Sequence, residues 1–167
     1  METLIKELKA TRDELVQLIN AVPDNSIDRV PFEGSWTAGQ LLEHVDKAVN
    51  PSILRGKLQS TDRPADQKVS QVKKIFLDFT VKYQSPEFIV PTQAIHDKQI
   101  LLSSLTTKFN ELAEAANTLD LKQECLDFEL PGMGALTRLE WISFFMTHTQ
   151  RHNHQLKNIV NHLAEKA

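Results

Sequence analysis

Trp141-Ile-Ser-Phe-Phe-Met-Thr-His-Thr-Gln-Arg-His-Asn-His-Gln-Leu156 is the stretch that decides the architecture of this chain. Trp141, Phe145, His148, His152, Leu156, Ile159 and Leu163 follow one another at steps of three and four, the period of the core-facing stripe of an α-helix. His148 and His152 lie one turn apart at the centre of that stripe, so their imidazoles stack on one side, close enough to share a metal ion. Polar rings among apolar neighbours need partners. On the pair alone two readings stay open: a shared metal, or ordinary core histidines bonded to backbone carbonyls. Chance alone yields roughly 0.2 His-x-x-x-His pairs in a chain of this histidine content, so the spacing needs support from elsewhere. The thermolysin pattern does not apply, because Thr149 stands where that motif carries its general-base glutamate.

Working outward, Thr137-Arg-Leu-Glu140 is a capping box that starts this helix, and the connection before it contains Pro131, Gly132 and Gly134. At the other end of the chain, Leu4, Leu8, Leu15, Leu18 and Ile19 mark an amphipathic helix over 2–21, stopped by Pro23. A second capping box, Thr37-Ala-Gly-Gln40, opens a helix with Leu41, Leu42, Val45, Ala48 and Val49 on its apolar side. Pro51 removes a backbone donor and should divide that helix. A shorter helical segment is predicted around 68–80. A third long helix is predicted over 92–117, with Ile100, Leu101, Leu105, Phe109 and Leu112 facing inward. The polar stretch 59–67 reads as a loop. No segment alternates cleanly enough to predict a strand. The expected fold is all-α, a four-helix bundle with short extra helices in its connections, forming one domain over 1–167.

A net charge of −3, with no basic stripe beyond Lys73-Lys74, argues against a nucleic-acid partner. No apolar run approaches the roughly 18–20 residues of a membrane span. The charged, amphipathic N-terminus shows no signal-peptide core, and the lone cysteine, Cys125, suits a reducing compartment. A cytoplasmic protein is therefore expected, with Cys125 as a small loop residue rather than a reactive thiol.

The missing metal ligand is sought on the second helix. His44 lies among Leu41, Val45 and Ala48 about two turns past its cap, while His148 lies about three turns past its own. Both fall near mid-bundle depth and can meet across the core. One histidine from one helix and two from another make three neutral nitrogen ligands, with the remaining positions open to water or substrate. Imidazole suits zinc, nickel, copper and iron alike. Protons compete for the same nitrogens, so affinity is expected to fall as pH drops through the histidine range. His154, His96 and His162 read as solvated or locally bonded. Gln155, one turn beyond His152, is placed to orient its ring. Trp36 is expected to plug the bundle end, Trp141 to be core, and Glu140 to be explained by its capping box. Residues 59–67 and 88–91 are candidates for a mouth over the metal.

Trp36-Thr-Ala-Gly-Gln-Leu-Leu-Glu-His44-Val and Leu139-Glu-Trp…His148-Thr-Gln-Arg-His152-Asn-His-Gln155-Leu together resemble the signatures of the DinB/YfiT-like metal-binding four-helix bundles. With Ser85-Pro-Glu-Phe-Ile-Val-Pro91, the resemblance spans nearly the whole chain. It implies an up-down-down-up bundle that binds a divalent metal (zinc, nickel or iron) through His44, His148 and His152, and that tends to homodimerise. Arg151 follows the family pattern beside the site, either to hold an anionic substrate group or to form a salt bridge. The family's activities imply a small-molecule substrate and activation of water or of a low-molecular-weight thiol, as in thiol S-transferases and hydrolases. The alternative is a metal-stabilised stress-response binding or dimerisation module without turnover.

Overall fold

Five α-helices carry most of the chain in the computed structural model, which describes residues 1–166. Ala167, the last residue of the expected domain, lies outside the described residues. The helices are α1 (Glu2–Ala21), α2 (Ala38–Ala48), α3 (Val69–Phe76), α4 (Lys98–Thr118) and α5 (Arg138–Glu165). Helix α1 packs on α4 and α5, and α2 packs on the same two, so α1 and α2 sit across a diagonal of an up-down-down-up four-helix bundle. The long passage from Val49 to Asp97 makes that order possible. Short α3 lies along α5.

Apolar periodicity accounts for the core. Leu8, Leu15 and Ile19 of α1, Leu41, Leu42 and Val45 of α2, Leu101, Leu105, Phe109 and Leu112 of α4, and Trp141, Phe145, Leu156, Ile159 and Leu163 of α5 are all buried. Both capping boxes form. The Thr37 hydroxyl accepts from the Gln40 amide at 3.1 Å and Gln40 Oε1 accepts from the Thr37 amide at 3.0 Å; Thr137 and Glu140 repeat the pattern at 3.1 and 2.8 Å. Helix α2 stops before Pro51, as its missing amide requires, and the Asn50 side chain starts a 3-10 turn over Pro51–Arg55.

Three expectations need correction. Helix α4 begins at Lys98 rather than near Thr92, because Asp97 caps it through the amides of Gln99 and Ile100. Ile100 is 68% exposed; it lies about 100° around the helix from the buried Leu101 stripe. The chain also contains strands: β1 (Leu58–Gln59), β2 (Glu124–Leu130) and β3 (Gly134–Thr137) form an antiparallel sheet in the order β1-β2-β3. Leu126-Asp-Phe-Glu-Leu130 alternates apolar and polar residues at the period of a strand, a signal the expectation of no strand overlooks, while an irregularity between Cys125 and Leu130 breaks the register of the pairing. Cys125 is thus a buried strand residue, and burial pushes its thiol up to about 11, away from nucleophilic chemistry.

The sheet end of the bundle is locked by an ion pair. Glu140, wholly buried, accepts from the Arg63 guanidinium at 2.7 and 2.8 Å and from the Lys68 amide at 2.8 Å, besides closing its capping box. Arg63 also reaches Glu124 at 2.8 Å. The 59–67 loop is therefore fastened at the start of α5, about 12 Å along the helix from His148, and does not cover the histidines.

At the start of α2, Gly39 permits a close approach. A Cβ there would stand 2.6 Å from the His96 ring and 2.7 Å from the Asp28 carboxylate. Gly39→Ala is expected to cost about 1–3 kcal/mol by overpacking, a fall of roughly 2–10 °C in melting temperature for a chain of this size. A variant at or above the parent's melting temperature would show that His96 shifts freely.

Candidate metal centre

Helix α2 carries His44 into the bundle interior, and α5 brings His148 and His152 to meet it. The three residues are 2%, 7% and 7% exposed. Their Nε2 atoms converge: His44 to His152 is 3.0 Å and His152 to His148 is 3.1 Å. Two nitrogens bound to one tetrahedral zinc at about 2.0–2.1 Å stand roughly 3.3 Å apart, so the trio is close to a ligand set as folded.

Proton placement sharpens this. His44 Nδ1–H donates to the Ile89 carbonyl at 2.8 Å, and His152 Nδ1–H donates to Gln155 Oε1 at 2.6 Å. A neutral imidazole has one N–H, so Nε2 of both rings is a bare lone pair, and these lone pairs face each other at 3.0 Å. An extra proton is disfavoured. Burial lowers His44 below its ordinary value, with Lys47 adding to the effect against the Ile89 carbonyl. Burial and His44 hold His152 down to about 3, and burial with the neighbouring rings takes His148 well below the usual range. A cation at the convergence point resolves the repulsion, and the residues fit one. Nδ1 of His148 has no hydrogen-bond partner among the described residues.

Other side chains set the surroundings. Trp36 is half-buried and packs against the core just before the α2 cap, with its ring 5.2 Å from that of His44. Phe144 and Phe76 stand 5.5 and 6.1 Å from His148. The 88–91 segment does border the site, through the Ile89 carbonyl. It is fixed to α2 because Lys47 donates to the Val90 carbonyl at 3.1 Å, while Glu43 accepts from the Thr92 amide and hydroxyl at 3.0 and 3.1 Å. Arg151 forms no salt bridge among the described residues. It donates to the carbonyls of Phe76 (3.3 Å), Asp78 (2.9 Å) and Val81, and lies over the Tyr83 ring at 5.3 Å. Thr149 spends its hydroxyl on the Phe145 carbonyl at 2.8 Å.

His154 is exposed and stacks on Phe79 at 4.3 Å, and His162 bonds locally to the Asn158 carbonyl at 2.9 Å. His96 is the exception to the expectation of a solvated or local role. It is held between Asp28 (2.5 Å) and Glu43 (2.6 Å), 68 and 53 residues away in sequence. Burial opposes its positive charge, but the two carboxylates outweigh burial and raise its pKa. Burial likewise opposes the charge on Glu43, yet Lys47, His96 and Thr92 hold it down at about 2. Separations of that length leave no local sequence signal.

These shifts fix a pH dependence for the metal-free protein. The three buried histidines have depressed folded pKa values, so their stabilisation is complete above the unfolded value of about 6.5 and is lost as pH falls toward their folded values. His96 has the opposite sign: its contribution is present below about 6.5 and fades as pH rises through its raised value. With three groups against one, the melting temperature after chelation is expected to fall from pH 7 to pH 5. A flat or rising profile would place the imidazoles in water. Proton competition with a bound metal is moved below the ordinary imidazole range by the same burial.

Comparison with known proteins bears on this geometry. No curated protein matches the sequence. YfiT from Bacillus subtilis, described as a probable metal-dependent hydrolase with an unusual four-helix bundle topology, matches the structure with a TM-score of 0.63 at 15% identity, over 98% of this chain and 87% of that one. At that identity the likeness establishes the fold. The sequence pattern of the DinB superfamily matches residues 7–156, a span that holds all three converging histidines, and the chain belongs to that superfamily.

Proposed function

We propose that this protein is a divalent-metal-dependent enzyme whose ion is held by Nε2 of His44, His148 and His152, and which activates a thiol or a water toward a small-molecule substrate. The observation that carries the reading is the pair of bare Nε2 lone pairs facing each other at 3.0 Å in a buried site. When bound, a divalent ion supplies Lewis-acid chemistry that makes a thiol or water nucleophilic near neutral pH. The Ile89 carbonyl and Gln155 hold the two outer nitrogens protonated and so keep the inner ones free. Three protein ligands leave coordination positions for reactants.

No carboxylate clusters with the three imidazoles among the described residues, and Glu43 is occupied by Lys47, Thr92 and His96. A thiol ionises far more readily than water and has less need of a base, which supports thiol S-transfer; the description of YfiT supports hydrolysis. The proposal includes zinc, nickel or iron as the metal, a low-molecular-weight thiol as co-substrate in the transfer case, a single domain and no nucleic-acid partner. Cytoplasmic residence and homodimerisation rest on the lone cysteine and on the family resemblance respectively.

The low exposure of the ligands favours a second reading, a metal-stabilised module without turnover. Elemental analysis of untagged protein before and after dialysis against a chelator, followed by thiol-conjugation and ester or amide hydrolysis assays with metal restored, separates the outcomes. About one ion per chain with metal-dependent turnover supports the enzyme. A tightly retained ion with no turnover supports the module. No ion and no uptake on titration with zinc or nickel overturns both.

A further inference from the structure

Gln155 rides on α5 itself, three residues past His152, but the partner of the other outer nitrogen comes from a distance. The Ile89 carbonyl, 45 residues from His44 in sequence, belongs to the irregular stretch between α3 and α4, whose regular structure is a 3-10 turn over Glu87–Ile89. Backbone with so few bonds of its own takes its position from the side chains that grip it. Helix α2 supplies the grip. Glu43 Oε2 accepts from the Thr92 amide and hydroxyl, and Lys47 donates to the Val90 carbonyl. Glu43 is the firmer of the two, its side chain 15% exposed against 34% for Lys47, and its carboxylate is itself held by Lys47 at 2.7 Å and by His96 at 2.6 Å.

What this grip decides is the place of one proton. A neutral imidazole carries a single N–H. With the Ile89 carbonyl at 2.8 Å, that of His44 sits on Nδ1 and leaves Nε2 bare. Withdraw the carbonyl, and the other tautomer has an acceptor ready: His152 Nε2 lies 3.0 Å away, and the proton of that ring is committed to Gln155. Such a bond would close the convergence point to a cation. We infer that Glu43 is a positioning residue of the metal centre: by holding Thr92 it keeps the Ile89 carbonyl on His44 Nδ1 and so selects the tautomer that can bind a metal. The inference rests on the metal-centre reading above and adds to it the group that keeps the site receptive.

Two readouts, one of them free of metal, test this. In metal-free protein, long-range proton–nitrogen correlation spectra distinguish a protonated ring nitrogen from a bare one, with the His44 signals assigned by their loss in His44→Gln. Zinc affinity is measured by competition against a chromophoric chelator, at a temperature where every variant is folded. Glu43→Ala is expected to move the His44 proton toward Nε2 and to bind zinc about 10–100-fold more weakly than the parent. Glu43→Gln, whose amide oxygen can still accept from Thr92, should fall between the two, and it carries the test if the alanine variant does not fold. Glu140→Gln, which weakens the fold at the sheet end without touching Thr92 or Ile89, should keep the parental affinity and His44 signals. Parental His44 signals or parental affinity in Glu43→Ala, or an equal loss of affinity in Glu140→Gln, would overturn the positioning role and leave the metal centre standing. No zinc uptake by the parent protein would overturn the metal centre and the inference with it.

Discussion

His44→Ala is expected to weaken divalent-metal binding by roughly a hundredfold to a thousandfold, since about 10–16 kcal/mol for a four-ligand zinc site amounts to some 2.5–4 kcal/mol per ligand. His44 is the contribution of α2 to a site otherwise built on α5, and its Nε2 lies 3.0 Å from that of His152. The remaining pair on one helix turn offers two nitrogens and a flexible angle between them. Helix content should stay near that of the parent protein, because the apolar stripes around His44 are intact. Competition against a chromophoric chelator, with far-UV circular dichroism on the same samples, reads both. Parent-like affinity in the variant would remove α2 from the site, and loss of helix would show that His44 is chiefly a packing residue.

Glu140→Gln is expected to give the largest loss of stability, about 3–5 kcal/mol, because removing one partner of a buried ion pair strands the other. The carboxylate is wholly buried and accepts from both Arg63 terminal nitrogens and the Lys68 amide while closing the α5 cap. Burial alone would raise its pKa, but Arg63 and the two backbone donors hold it low. The melting temperature should drop by roughly 10 °C or more at this chain length. Glu7→Gln, which removes an exposed partner 3.6 Å from Lys73, serves as the comparison and should stay within about 0.5 kcal/mol. Equal small effects would mean that Arg63 finds compensation in Glu124.

The contrast between these residues shows what can be read from a linear chain. His44, His148 and His152 stand out because each interrupts an apolar stripe whose period is set by the helix itself, and because two capping boxes fix where those helices start. Both boxes form as written, and α1 runs over the span its apolar positions and Pro23 mark. Trp36, by contrast, precedes its helix, and a side chain outside a helix has no period to direct it, so its approach to the His44 ring is visible only in the fold. For Arg151 the family resemblance implies an anionic substrate group or a salt bridge. Its guanidinium instead satisfies carbonyls of the irregular stretch after α3, and a backbone acceptor leaves no mark in sequence.

Periodicity, proline and capping chemistry are local, so the sequence alone determined four long helices, their apolar faces and three histidines at similar depth. The tertiary structure decided which faces meet: that α1 and α2 lie diagonally, that the Ile89 carbonyl and Gln155 set the tautomers of His44 and His152, and that His96 is clasped by Asp28 and Glu43. It also decided the pairing of the small sheet, which joins segments 67 residues apart in the case of Leu58 and Cys125; the alternation of Leu126-Asp-Phe-Glu-Leu130 marks a strand in the sequence but not its partners. Those features depend on contacts closed only when the chain folds back on itself, and no residue type or spacing encodes the partner on the other side of such a contact.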